Sequence, residues 1–354
     1  MPQRLTWSLP CLVLAAVALA AGPSDGQPRP FDWPQWQGPD RNIICRETGL
    51  LASWPADGPP LVWKVKGLGG GYSTPSVAAG RIFGMGYRGD DEVVWALDEA
   101  SGKELWSTRI AAANRKVGYG EGSRCTPTVD GRLLYALGVS GDLACLEAAT
   151  GKVHWQKNLK RDFKGSVGGW GYSESPLIDG EKLICTPGGK AATLVALDKT
   201  TGSTLWKASV PEGDAANYSS VIAADVDGEH EYVQFLGGGV VGVRAEDGKY
   251  LWRYNKPSAG INCSTPVFHD NCVFAAASYG KGGGLIKLTR EDGKTTAEEV
   301  YFTKQMKNHH GGMVLVDGYL FGSDEGQLTC LEFKTGKVKW QDGHPGKGSI
   351  LYAD

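Results

Sequence analysis

Residues 194–206 read LVALDKTTGSTLW, and the pattern returns as VVWALDEASGKELW at 93–106, LACLEAATGKVHW at 143–155, VVGVRAEDGKYLW at 240–252 and LTCLEFKTGKVKW at 328–340. Each copy reads as an apolar strand, a tight turn carrying glycine, and a second strand closed by tryptophan. Glycine suits the turn because it accepts positive φ without steric cost. A weaker copy, LIKLTREDGKTTAEEVYF at 285–302, puts Tyr301 or Phe302 where tryptophan is expected. The period of roughly 45–50 residues is that of a four-stranded propeller blade.

Working outward, a second element precedes each copy: YSTPSVAAGRIF, CTPTVDGRLLYAL, ESPLIDGEKLICT, YSSVIAADVDGEHEYVQF, STPVFHDNCVFAA and GGMVLVDGYLFGS. These read as a first and second strand joined by a tight turn. The expected blades are 72–110, 123–155, 172–206, 217–252, 262–302 and 309–340. LVWKV at 61–65 looks like an outer strand without inner strands before it, so it is expected to complete the last blade. GKGSILYAD at the C-terminus starts like an inner strand and stops. An all-β propeller ending there leaves an open edge, so the chain is expected to be C-terminally incomplete and eight-bladed when whole, with about six full blades present.

The chain has 354 residues with 51 Gly and 12 Trp against 4 Met, a composition of short strands and turns rather than helix bundles. A formal charge of -2 excludes a broad basic footprint, and with it nucleic acid as a partner. Residues 1–20 form an expected signal peptide: Arg4, an apolar run from Leu9, and Ala18-Leu19-Ala20 as a cleavage site. Residues 21–30 are a Pro/Gly linker, 31–58 a leader segment and 59–354 the propeller. The signal makes a periplasmic or extracellular location the expectation, and no later run is long and apolar enough to span a membrane. Cys11 lies inside the signal, which leaves an odd number of cysteines in the mature chain. No Cys-x-x-Cys pair exists, and Cys145, Cys185, Cys272 and Cys330 read as small buried hydrophobes on strands. Cys125 and Cys263 are expected near the channel, on well-separated blades. The glycine clusters at 67–71, 237–239 and 282–284 are expected to be loops between strands where backbones approach closely.

The Ala-Leu-Asp-x-x-Thr-Gly-x-x-x-Trp repeat resembles the tryptophan-docking motif of PQQ-like, quinoprotein-type β-propellers, and DWPQWQGPDRN at 32–42 resembles the leader of secreted bacterial members. The resemblance covers residue 32 to the end. It implies that Trp63, Trp106, Trp155, Trp206, Trp252 and Trp340 dock blades together. Some members are PQQ- and calcium-dependent alcohol or sugar dehydrogenases; others are non-enzymatic, so the fold alone assigns no chemistry.

A propeller gathers equivalent positions of its blades around a central channel. Just before the inner strands lie Gly71, Ser123, Tyr172, Asn217, Asn262, His310 and Lys347, followed by Tyr72, Arg124, Cys125, Ser173, Glu174, Tyr218 and Cys263. By blade position, Glu174 and Asn262 resemble the calcium-holding Glu–Asn pair of the dehydrogenases, and oxygen ligands suit a hard cation. Alternatively, Glu174 pairs with Arg124 or Lys347 and closes the channel. The stretch matching the catalytic aspartate, residues 308–312, reads NHHGG and holds no carboxylate; His310 is the candidate base. His309 and His310, adjacent on a strand, are expected to point to opposite faces. Trp170 is expected either to roof the channel over a flat ligand or to cap a loop; with Arg124 it completes the candidate ligand-binding residues. The leading expectation is an exported binding or scaffold propeller for a protein or small-molecule partner. The alternative is a PQQ- and calcium-dependent dehydrogenase of alcohols, sugars or polyols.

Overall fold

The computed structural model describes residues 29–354, so the expected signal peptide and nearly all of the linker lie outside the described residues. Six four-stranded antiparallel sheets follow one another in chain order, each a simple meander. Blade 1 runs from Ser76–Ala78 to Glu104–Ala112, blade 2 from Thr128–Asp130 to Val153–Asn158, and blade 3 from Leu177–Asp179 to Thr204–Ala208. Blade 4 runs from Ile222–Val226 to Tyr250–Tyr254, blade 5 from Val267–His269 to Lys294–Thr303, and blade 6 from Met313–Val316 to Val338–Asp342. The inner strands are three to five residues long and the second and third strands longer. The core is a series of layers between blades. Leu177, Ile184, Leu194 and Ala196 of blade 3, for example, pack with Val221, Tyr232, Val241 and Val243 of blade 4.

Each outer strand meets the third strand with a register shift beside the closing aromatic, as at Ala196↔Trp206 and Cys145↔Trp155. The tryptophan then reaches the next blade. Trp106 Nε1 donates to Ala148 O at 3.0 Å, Trp155 Nε1 to Lys199 O at 3.1 Å, and Trp206 Nε1 to Ala245 O at 3.2 Å. The ring lies on the turn glycine of that blade: a Cβ on Gly151, Gly202 or Gly248 would stand 2.5, 2.8 or 2.5 Å from Trp106, Trp155 or Trp206. Those glycines have φ of 72°, 71° and 74°. Backbone conformation and close approach therefore select glycine at the same place.

Several expectations are corrected. Residues 61–65 pair with no strand among the described residues. Trp63 nonetheless docks on blade 1, donating to Glu99 O at 3.0 Å over Gly102. Tyr301 rather than Phe302 takes the tryptophan place in blade 5, its hydroxyl donating to Phe333 O at 2.8 Å. Trp252 turns back over its own Gly242 and donates to Glu231 at 2.7 Å, since the turn of blade 5 offers no pad: nothing lies within 4 Å of a Cβ on Gly293. Trp340 makes the own-blade ring contact that Trp106 makes with Phe83 and Trp155 with Tyr135, here with Phe321, and is 45% exposed. Gly282, Gly283 and Gly284 belong to a strand, Gly282–Glu291, where Gly283 admits the ring of Phe274.

The leader enters the axis. Trp33 exchanges both backbone hydrogen bonds with Val77 of blade 1, and Pro34 O accepts from Val129 N of blade 2 at 2.8 Å. Trp36 Nε1 donates to Thr265 of blade 5 at 3.2 Å. Gln37 and Ile43 fill the space that a side chain on Gly312, at the start of blade 6, would take. Ile44–Cys45 then pairs in parallel with Tyr352–Ala353, the end of the GKGSILYAD segment. Arg41 is buried and spans two blades, donating to Val221 O at 2.8 Å, to Ser175 O at 3.1 Å and to Pro176 O, while its Nε donates to Gln35.

Candidate binding site at the axial mouth

The residues preceding the inner strands separate into three registers. Of the first register, Ser123, Tyr172, Asn217 and Asn262 are buried, and they stitch neighbouring blades: Ser123 O accepts from Tyr72 N at 2.7 Å, and Asn217 Oδ1 from Asn262 N at 2.7 Å, while Gly71, His310 and Lys347 are exposed. Those of the third register, Cys125, Glu174, Ser219 and Ser264, are also buried, turned between sheets. Between the two lie Tyr72, Arg124, Ser173, Tyr218 and Cys263, all partly or largely exposed. Strand alternation accounts for the division, because a one-residue step reverses the direction of the side chain. Cys125 therefore faces a blade interface instead of the channel, whereas Cys263 remains at the channel.

Glu174 and Asn262 fall in different registers, and their side chains do not meet at a common site. The Glu174 carboxylate accepts from Thr186 N and, at 3.2 Å, from Gln234 Nε2 of blade 4. Burial pushes its pKa up to about 7, against the hydrogen bonds from Thr186 and the nearby charge of Arg41. Neither Arg124 nor Lys347 is its partner; the cation beside it comes from the leader. The Asn262 amide donates to Leu236 O at 2.7 Å and Ser258 Oγ at 3.2 Å, and its oxygen accepts from Ala259 N at 3.1 Å. Glu92 and Glu231 repeat the Glu174 arrangement. Glu92 accepts from Ser123 Oγ at 2.7 Å, and Glu231 from Thr295 Oγ1 at 2.6 Å, each tying its blade to the next. Both are buried, as expected of carboxylates only where donors surround them. Among the described residues no group of three or more His, Cys, Asp or Glu is placed to hold a metal ion. The Glu174–Asn262 pair does not fit calcium: both are committed to protein donors and they do not converge.

The mouth has a different chemistry. Trp170, half-buried, stands edge-on to Tyr218 with centroids 5.7 Å apart and planes at 87°. Its indole lies where a side chain on Gly118 would be. The Arg124 guanidinium is 5.6 Å above the Tyr72 ring and is held by the carbonyls of Gly118, Tyr119 and Gly122. Tyr72 and Tyr119 meet edge-on at 6.4 Å, and both are exposed. Across the ring, His309 and His310 lie 4.6 Å apart with planes inclined by 33°, and Tyr279 meets His309 edge-on at 5.1 Å. The two histidines therefore lie side by side instead of pointing to opposite faces, with the backbone bending at His310. Burial, with Lys347 and His310 adding, lowers the His309 pKa to about 4; burial and Lys347 also lower that of His310. Burial raises the Cys263 thiol to about 12. The seven described cysteines are all free thiols.

Arg124, Trp170 and His310 thus remain partly or largely exposed, while Glu174 and Asn262 are buried and bonded within the protein. Arg41 escaped the reading of the sequence, since nothing in DWPQWQGPDRN marks which of its residues would enter the axis. Tyr119 and Tyr279 escaped it because they lie in loops outside the repeat.

A model of the family described as "Outer membrane protein assembly factor BamB" matches residues 38–118 and 90–342, most of the chain. The chain belongs to this PQQ-type repeat family. Within the family, BamB of Burkholderia pseudomallei is 22% identical over 253 residues, covering 67% of this chain and 60% of that protein. The chain thus spans less than two thirds of that relative. Among solved structures, BamB from Moraxella catarrhalis has a TM-score of 0.54 at 17% identity, over 77% of this chain and 73% of that one. A europium-containing methanol dehydrogenase has a TM-score of 0.55 at 14% identity, over 77% and 68%. A β-propeller fold is common to all of them.

Proposed function

We propose that the chain is an exported binding propeller that presents the mouth of its axis to a ligand or partner and carries out no chemistry of its own. The observation carrying this reading is the division of polar groups: buried Glu92, Glu174 and Glu231 are committed to ties between blades, while the mouth offers aromatic faces, histidines of lowered pKa and the cations Arg124 and Lys347, with Glu121 engaged by the Tyr72 hydroxyl. Similarity to proteins named as assembly factors supports a binding role over a catalytic one. Export rests on residues 1–20, and no helix among the described residues is long and apolar enough to cross a membrane. In the dehydrogenase alternative, Glu174 and Asn262 would hold calcium and His310 would act as base. That set is not assembled, and the likeness to a methanol dehydrogenase is one of fold.

Calorimetric titration of PQQ with calcium into the exported chain separates the two. No binding is expected. Calcium-dependent binding that is lost in Glu174→Ala would overturn the reading.

A further inference from the structure

We propose that the axial mouth is a saccharide site for acidic sugars, recognising a chain that bears uronic-acid carboxylates. This rests on the binding reading above and names its ligand. The first argument is charge. Arg124 and Lys347 form no ion pair among the described residues, although most other described arginines face a carboxylate; the carboxylate near Arg124, Glu121, is engaged by the Tyr72 hydroxyl at 3.0 Å. Arg124 is half-buried against three carbonyls, so its guanidinium is already oriented and little side-chain freedom is left to lose on binding a carboxylate.

The second argument is the attitude of the rings. Trp170–Tyr218 and Tyr72–Tyr119 are both edge-to-face, with planes at 87° and 73°. Neither pair makes parallel walls that would sandwich a flat aromatic ligand. Single faces spaced around a rim instead suit puckered rings, each laying one C–H face on one aromatic side chain. Tyr72, Tyr119 and Tyr279 are 55%, 68% and 55% exposed, more than packing alone requires of tyrosine. The third argument is hydrogen bonding. Neutral imidazoles of His309 and His310 both donate and accept, as sugar hydroxyls do, and Ser173 adds a hydroxyl at the channel. The groups are contributed from Tyr72, before blade 1, to Lys347, after blade 6, so the rim offers an oligomer several separate contacts.

The test is calorimetric titration of the exported chain with a short oligogalacturonate and, separately, with its fully methyl-esterified form. Binding is expected for the acid form, with affinity falling about tenfold on esterification and again in Arg124→Gln or Trp170→Ala. Lys347→Gln, at an exposed position whose side chain makes no hydrogen bond among the described residues, gives the same directional test should Arg124→Gln fail to fold. Absence of binding to the oligogalacturonate, or equal binding of the ester, overturns the saccharide assignment. A polyglutamate peptide that binds in its place, and is lost in Lys347→Gln, overturns the sugar but leaves the binding reading standing. That reading fails separately, through calcium-dependent PQQ binding.

Discussion

Glu174 and His230 are titratable groups whose protonation is linked to stability in the same direction but over different pH ranges. Burial raises the Glu174 carboxyl from 4.5 to about 7, so the folded state holds its proton more tightly than the unfolded chain. Its contribution is complete below about pH 4.5 and is lost as pH rises through 7, amounting to about 3 kcal/mol. His230 bridges blades through its own Asp225 at 2.6 Å and Asp179 of blade 3 at 3.0 Å. Burial pulls its pKa down, but the bonds and charges of the two aspartates outweigh it and raise it above 6.5. Its contribution is complete below the ordinary histidine pKa and fades as pH rises through the raised value. Melting temperatures measured across pH should fall from pH 5 to 8. Glu174→Gln should flatten the lower part of that slope and His230→Gln the upper part. An unchanged slope in Glu174→Gln would show that its carboxyl is not held protonated.

At the scale of elements, the repeat works because two residues from different blades are selected together. The closing tryptophan of one blade needs the turn glycine of the next, and the carbonyl that accepts its indole N–H belongs to that same turn. Trp155→Ala should lower unfolding free energy by about 3 kcal/mol in denaturant titration, the low end for a truncated aromatic because the ring is half-buried. Gly202→Ala should cost a comparable amount, since its Cβ would stand 2.8 Å from Trp155 at a φ of 71°. In the double variant the losses should not add, because both remove one contact. Additivity would show that the pad and the ring act separately. Tyr301→Phe, which loses only the bond to Phe333 O, should cost about 1 kcal/mol. The motif was legible at every turn, yet Trp252 breaks the rule. Whether a tryptophan finds a pad depends on the neighbour's turn, which in blade 5 has slipped from the repeat.

For the whole molecule, residues 33–45 reach the inner side of every blade either directly or through a side chain, and Arg41 is the deepest of them. Its guanidinium caps three carbonyls of blades 3 and 4 and lies near Glu174; burial lowers its pKa to about 10. Arg41→Ala should therefore cost about 3 kcal/mol or more, since it leaves buried acceptors without a donor. A loss below about 1 kcal/mol in the unfolding midpoint would show that the leader occupies the axis without supporting it. The strained backbone of Ile43, buried at a φ of 64°, belongs to the same passage. A β-branched residue persists there only where its surroundings over-determine it.

Strand, turn and period are local properties, set by alternation, by glycine and by the spacing of tryptophans, and they sufficed to assign the propeller and the limits of its blades to within a few residues. Which residues face the axis was not local. A single step in register separates Arg124 from Cys125 and Ser173 from Glu174, and that step is decided by how each inner strand meets its neighbours. The leader's passage through the axis was likewise invisible, because its partners are backbone carbonyls of distant blades and carry no side-chain signature. The sequence by itself determined that this chain is a ring of docked sheets. Only the tertiary structure decided that Glu92, Glu174 and Glu231 are ties between blades and that Tyr72, Arg124 and Tyr218 stay partly or largely exposed, because burial and register arise from packing between blades.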